Sequence, residues 1–147
     1  MAKILVVYHS LSGNTKAMAE AVADGAREVA GAEVAVKPGL EATAEDLLEC
    51  DAVALGSPDY FSYIAGGLKD FFDRTYYPTQ GKVTGKPCAC FASAGGPPTV
   101  VLEVLERMCR AFKLQASGSV GCSGKPSADI KRECRELGRK LAEAASA

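Results

Sequence analysis

Short apolar runs alternate with amphipathic segments along the whole chain, and this alternation predicts strands separated by helices. Residues 3–9 form the first apolar run, and residues 15–29 follow with Met18, Val22 and Ala26 spaced along one helical face. The same pattern predicts strands at residues 33–37, 52–56, 87–93 and 114–121, and helices at residues 44–49, 67–74, 101–112 and from Ser127 onward. Five strands alternating with helices indicate an α/β fold, a three-layer sandwich in which helices cover both faces of a five-stranded parallel sheet.

Three loops rich in glycine, proline or hydroxyl side chains leave the carboxyl ends of predicted strands. We name them the phosphate loop (residues 10–15), the aromatic loop (residues 57–66) and the third loop (residues 94–98). Parallel strands end at one edge of their sheet, and ligands of such sheets bind there. The three loops therefore predict one shared pocket.

The phosphate loop reads Ser-Leu-Ser-Gly-Asn-Thr and lies between the first strand and an alanine-rich helix. Backbone N–H groups at a helix start attract an anion, and Gly13 lets the chain approach it closely. Hydroxyl and amide side chains add donors, but the loop contains no Lys or Arg. Its spacing matches neither the P-loop nor the GxGxxG pattern. These features predict a site for a single terminal phosphate.

The aromatic loop brings Tyr60, Phe61 and Tyr63 to the same edge. Aromatic side chains at a ligand site offer stacking area for a planar ring. They can also fill the core, and we expect either Phe61 or Tyr63 to turn inward. For Tyr60, stacking on a ligand and packing in the protein both stay open. A planar ring joined to one phosphate describes flavin mononucleotide (FMN).

Length and charge narrow the classes of function. The 147 residues suffice for one domain with a substantial core, predicted to span residues 1–147. A net charge of −1 gives no electrostatic reason to expect a nucleic acid or an acidic membrane as partner. No apolar stretch approaches the ~20 residues that span a bilayer, and the first residues form a strand rather than a signal peptide. We expect a cytoplasmic protein.

Six cysteines and one histidine are the remaining candidates for side-chain chemistry. The cysteines contain no CxxC pair and no local set of zinc ligands, so we expect core thiols in a reducing cytoplasm and no metal site. Cys122, in a predicted loop, is the best candidate for a reactive exception. His9 ends the first strand, where a structural role is favoured over that of a catalytic base.

The motifs together resemble one family. The phosphate loop resembles the flavodoxin pattern [ST]-x-[ST]-G-N-T, and residues 56–61 (GSPDYF) with residues 68–74 (LKDFFDR) are similar to the FMN reductase and quinone oxidoreductase branch of that superfamily. The chain is thus identified as a member of the flavodoxin-like superfamily. The resemblance implies strand order 2-1-3-4-5 and FMN as cofactor.

The resemblance also implies roles for individual residues, none of them a catalytic acid or base. The residues implied to hold the phosphate are Ser10, Leu11, Ser12, Gly13, Asn14 and Thr15. Those implied to line the flavin ring are Pro58, Asp59, Tyr60 and Phe61. Those implied to meet the pyrimidine end of the flavin are Ser93, Ala94, Gly95 and Gly96. Two features depart from flavodoxins: the third loop lacks an aromatic residue, and the chain is nearly neutral.

Three functions stay open at this point. The first is a flavodoxin-like carrier of low-potential electrons between redox proteins, favoured because the compact chain leaves no room for an inserted substrate loop. The second is an NAD(P)H-dependent FMN or quinone reductase, favoured by the aromatic loop, the bare third loop and the near-zero charge. The third is a flavin-free interaction module. We prefer the carrier, and the partner is then a redox protein, or otherwise NAD(P)H and a quinone. A homodimer is also open.

Overall fold

A computed structural model describes residues 1–147. Five parallel strands form one sheet in the order β2-β1-β3-β4-β5, which confirms the predicted fold class and strand order. The strands are β1 (Lys3–Tyr8), β2 (Glu33–Pro38), β3 (Ala52–Pro58), β4 (Pro87–Ala94) and β5 (Gln115–Ser123). The helices are α1 (Asn14–Arg27), α2 (Ala44–Glu49), α3 (Gly66–Thr79), α4 (Thr99–Ala111) and α5 (Ala128–Ser146). None of these helices is both long and apolar enough to cross a membrane.

Alternate residues of the central strands serve two separate cores. On β1, Ile4 and Val6 join a cluster with residues of α1 and α5, whereas Leu5 and Val7 join a cluster with α2, α3 and α4. A strand directs successive side chains to opposite faces, so an unbroken apolar run is buried on both sides. The sheet thus forms the middle layer of three.

Two glycines let α1 and α5 cross at close range. A Cβ at Gly25 would lie 1.8 Å from the carbonyl oxygen of Arg135, and one at Gly138 would lie 1.8 Å from that of Val22. Such distances leave no room for a methyl group between the two backbones. Helix α5 therefore packs closely against α1, the helix that begins at the phosphate loop.

Several predicted boundaries are wrong by one to five residues; β3, for example, ends at Pro58 and not at residue 56. Tertiary packing accompanies two of the extensions. Helix α3 continues through Pro78 to Thr79, because the ring of Tyr76 packs on that of Phe112 at 5.2 Å between centroids. Strand β5 extends to Ser123, beyond the predicted end at residue 121, because its last residues pair with the end of β4. Both extensions depend on contacts with distant segments, which local periodicity cannot report.

Candidate cofactor site

Backbone hydrogen bonds fix the relative positions of the phosphate loop, the aromatic loop and the third loop. The N–H of His9 donates to the carbonyl oxygen of Gly56 at 3.2 Å, which joins the end of β1 to β3. The N–H of Asp59 donates to the carbonyl oxygen of Ser93 at 2.8 Å, which joins the end of β3 to β4. All three loops consequently leave the same edge of the sheet.

The phosphate loop presents unpaired N–H groups at the start of α1. Gly13 has φ +100°, and its N–H donates to Ser10 Oγ at 3.1 Å. The first helical bond runs from the N–H of Ala17 to the carbonyl of Gly13 at 3.0 Å, so the N–H groups of residues 14–16 have no acceptor in the helix. No side chain caps this helix, and no acidic residue occupies its first turn. This arrangement suits a bound anion.

Thr15 and Ser93 join the phosphate loop to the end of β4. Their hydroxyl oxygens lie 2.8 Å apart, and Thr15 is 1% and Ser93 4% exposed. A buried hydroxyl pair of this kind resists displacement, because separating it leaves two polar groups without partners. The pair therefore sets where α1 begins relative to the third loop.

The aromatic loop is a tight turn that is braced by its own residues. Tyr60 and Tyr63 exchange backbone hydrogen bonds of 3.0 and 3.2 Å, and the N–H of Ser62 donates to Asp59 Oδ1 at 2.8 Å. Phe61 and Ser62 both have φ +60°, a conformation that costs a residue with a side chain free energy. Adjacent residues with this conformation hold the turn away from the core.

The aromatic rings of this loop point outward. Phe61 is fully exposed at 102% and Tyr63 is 37% exposed, so the prediction that one of them turns into the core is wrong. The buried residues of this loop are instead Ile64 and Ala65, which are 3% and 0% exposed and of which Ile64 joins the core cluster. Both rings stay at the surface because shorter side chains complete the core.

His9 supports the aromatic loop from below. Its ring lies edge-on to that of Tyr60, with centroids 6.1 Å apart and planes at 82°. A Cβ at Gly67 would come within 2.3 Å of His9 Nδ1, so the imidazole rests directly on the first turn of α3. The position of His9 is that of a packing residue between two elements of the site.

The third loop is held by a segment that the sequence analysis missed. Ser123 Oγ donates to the carbonyl of Gly96 at 2.7 Å, and the N–H of Gly124 donates to the carbonyl of Ala94 at 2.8 Å. Gly95 and Gly96 are exposed. The Ser-Gly-Lys-Pro sequence at residues 123–126 begins at the carboxyl end of β5. A turn-forming sequence after a parallel strand could have indicated a fourth loop at the same edge.

Cys122 lies on β5 rather than in a loop, which contradicts its predicted position. It is 3% exposed, and burial raises the pKa of its thiol. Burial likewise raises the pKa of Cys50 to about 11 and that of Cys134 to about 12. These thiols are protonated at neutral pH and are therefore poor nucleophiles.

A surface concavity of about 980 Å³ lies between β5 and α5 and is separate from the three loops. Its lining includes many charged side chains, and Arg132 and Arg139 are each paired with acidic neighbours on α5. No loop at the carboxyl ends of the strands reaches this concavity, which lies along β5 and α5. The three-loop edge is the better cofactor site.

Comparison with known proteins indicates which cofactor the three-loop edge of the sheet binds. The family profile described as NADPH-dependent FMN reductase matches residues 2–120. The chain belongs to this family. A flavodoxin of Aquifex aeolicus (strain VF5) is 36% identical, over 97% of this chain and 86% of that protein. An NAD(P)H dehydrogenase (quinone) of Archaeoglobus fulgidus is 34% identical, over 99% of this chain and 98% of that protein.

A solved structure supports the same assignment. The structure of a flavodoxin from the domain Archaea superimposes with a TM-score of 0.87 at 28% identity, covering 99% of both chains. These findings confirm the flavodoxin-like superfamily and FMN as its cofactor. The roles of individual residues in binding FMN stay predictions, and so does the assignment of phosphate and ring to particular loops.

Proposed function

We propose that residues 1–147 form one FMN-binding domain that carries electrons between redox proteins. The observation that supports this proposal is the unpaired N–H cradle at the start of α1, placed on the same sheet edge as an outward-facing aromatic turn. One feature suits a phosphate and the other suits a planar ring. Their joint occurrence fits a ligand that contains both.

The phosphate loop would hold the anionic end of the cofactor. The N–H groups of Asn14, Thr15 and Lys16 are the free donors, and the hydroxyls of Ser10 and Ser12 add to them. Lys16, one residue beyond the predicted loop, contributes an exposed positive charge. The dipole of α1 acts in the same direction, so the site favours a phosphate dianion.

The other two loops would hold the ring system. Tyr60 and Phe61 offer stacking area, while Pro58 and Asp59 shape the turn that carries them. Backbone groups of residues 93–96 lie at the end of β4, where the pyrimidine portion of a flavin needs polar partners. Bound FMN supplies one-electron and two-electron transfer, and the protein binds, orients and partly shields it. No side chain has to act as an acid or base.

Chain length favours the carrier over the enzyme. The alignment with the Archaeoglobus fulgidus quinone dehydrogenase runs over 188 positions, although this chain has only 147 residues. That relative therefore carries insertions that this chain lacks. The alignment with the Aquifex aeolicus flavodoxin runs over 162 positions, which requires fewer insertions. Added segments are one means of building a substrate pocket over a flavin.

The second candidate is an NAD(P)H-dependent FMN or quinone reductase. It is favoured by the family profile and by the third loop, whose residues 94–98 include no aromatic ring to cover one side of the site. An uncovered side would accept a nicotinamide, a quinone or a second copy of this chain. The reductase and a homodimer are thus linked proposals.

A direct experiment separates the candidates. Protein reconstituted with FMN is reduced photochemically and mixed with cytochrome c as electron acceptor, and separately it is mixed with NADPH and a quinone. The carrier is expected to reduce cytochrome c rapidly and to oxidise NADPH no faster than free FMN does. NADPH turnover well above that background would establish the reductase instead. Failure to take up FMN would favour the flavin-free module.

The compartment is also a proposal. All six cysteines are buried and unpaired by disulfides. Free thiols in this number suit a reducing environment, so we place the protein in the cytoplasm.

A further inference from the structure

Three cysteines that are scattered in sequence meet in the core between β4 and α4. The sulfur atoms of Cys88, Cys90 and Cys109 all lie within 4.8 Å of one another, and those of Cys90 and Cys109 are 3.6 Å apart. We call these three residues the thiol cluster. Each is at most 2% exposed. Nothing in the proposed electron-transfer role uses them.

The fold explains how the cluster forms without a CxxC motif. Cys88 and Cys90 are two residues apart on β4, so both side chains point to the same face of the sheet. Helix α4 packs on that face and directs Cys109 toward them from its last turn. The three ligands are not neighbours in the sequence, because a strand supplies two of them and a helix supplies the third.

We propose that the thiol cluster binds one soft monovalent metal ion, with Cu(I) as the best-matched species. Thiolate sulfur selects soft ions such as Cu(I). With metal–sulfur bonds of about 2.3 Å, a trigonal arrangement places the sulfurs about 4 Å apart, within the range of this cluster. Small rotations of the side chains therefore suffice to enclose the ion.

The surroundings favour a monovalent ion over zinc. Structural zinc takes four ligands, and this cluster offers three sulfurs among apolar neighbours that include Leu105 and Phe112. On binding, each thiol that coordinates the ion releases its proton to solvent and binds as a thiolate.

The cluster lies close to a route from the surface. Cys109 precedes by two residues the C-terminal end of α4, where Ala111 and Phe112 line a small cavity of about 90 Å³. Fraying of a final helical turn requires little free energy. An ion can thus enter through a local opening without unfolding of the sheet.

The test is a titration of fully reduced protein with Cu(I) under anaerobic conditions, in competition with a coloured Cu(I) chelator. One equivalent is expected to bind to the wild-type chain and to raise its unfolding midpoint. Cys109→Ser is expected to weaken binding at least 100-fold. Cys134→Ser, which alters a buried thiol in the other core, is the matched control and should leave Cu(I) affinity unchanged.

Two results would overturn the proposal. The first is that the wild-type chain fails to remove one equivalent of Cu(I) from the chelator. The second is equal loss of affinity in Cys109→Ser and Cys134→Ser, since the site would then not be this cluster. Circular dichroism verifies that each variant is folded. If Cys109→Ser does not fold, Cys109→Ala replaces it in the titration. The readout involves no flavin, so its outcome is independent of the proposed function.

Discussion

The phosphate loop and the aromatic loop leave neighbouring strands of one sheet but are held in different ways. The phosphate loop depends on a distant partner, because Thr15 contacts Ser93, 78 residues away, through buried hydroxyls. The aromatic loop is joined to β4 by the N–H of Asp59, but its turn at residues 59–63 is braced locally, by the Asp59 side chain and by the reciprocal backbone bonds of its tyrosines. Thr15 anchors the end of the phosphate loop in the core, whereas the turn of the aromatic loop projects into solvent at Phe61.

This difference suggests that the phosphate loop positions the cofactor and that the aromatic loop only contacts it. A phosphate is bound by backbone N–H groups whose positions must be set in advance, so burial beneath them is useful. An aromatic ring at the surface gains its partner only when a ligand or another protein arrives. Substitutions in the phosphate loop should therefore reduce stability and FMN affinity together, whereas those in the aromatic loop should act mainly on the bound state.

The largest effect is expected from Thr15→Val. The change preserves shape but leaves the hydroxyl of Ser93 buried without its partner, which costs about 2 kcal/mol. That cost falls on folding. FMN affinity should fall about 30-fold, because the Thr15 hydroxyl would also lose its hydrogen bond to the charged phosphate, which contributes about 2 kcal/mol. Riboflavin affinity should change much less because riboflavin has no phosphate. Fluorescence titration with both flavins measures the difference.

Thr75→Val is the control for that experiment. Thr75 is equally buried, but its hydroxyl donates to the carbonyl of Phe71 within α3. It should affect stability and leave FMN affinity unchanged. Equal losses of FMN and riboflavin affinity in Thr15→Val would contradict the prediction that this loop binds the phosphate.

A smaller effect is expected from Gly13→Ala. Its φ of +100° lies where a Cβ costs about 1–2 kcal/mol, so FMN affinity should fall about 10-fold. Gly66→Ala is matched, because Gly66 begins α3 with open space around it and no positive φ. Isothermal titration of the two variants should separate them, and indistinguishable affinities would show that the backbone at Gly13 does not shape the cradle.

Tyr60→Ala tests the aromatic loop. The half-buried ring of Tyr60 lies edge-on to that of His9 and is proposed to stack on the flavin. A stacked aromatic pair contributes about 1 kcal/mol. We expect FMN affinity to fall about fivefold and the fluorescence of bound FMN to rise as a quenching ring is lost. Tyr77→Ala, at an exposed position of α3, is the comparison variant. Unchanged fluorescence in Tyr60→Ala would assign the ring a packing role alone.

Phe61→Ala should have the smallest effect on the free protein. A fully exposed ring contributes little to folding, so the free energy of unfolding should change by less than about 0.5 kcal/mol. Urea unfolding of the flavin-free protein measures this, with Phe71→Ala, a buried ring, as the contrasting case. A loss of more than about 1 kcal/mol would mean that Phe61 packs in solution, and the contrast between the loops would then fail.

Much of the fold followed from local pattern. The alternation of apolar runs and amphipathic segments predicted all ten elements, because most are long enough for their periodicity to be visible. The errors concern elements whose ends depend on other elements. Helix α3 passes through Pro78 to Thr79 because Tyr76 meets Phe112, and β5 reaches Ser123 because β4 continues beside it.

The candidate site divides in the same way. The sequence by itself determined the strand-to-helix junction at Gly13 and the aromatic composition of the second loop, since both are properties of a few consecutive residues. Only the tertiary structure decided that Thr15 meets Ser93, that Phe61 faces outward and that Cys109 joins two thiols of β4. These facts depend on the register and packing of segments far apart in the chain, which no local pattern encodes.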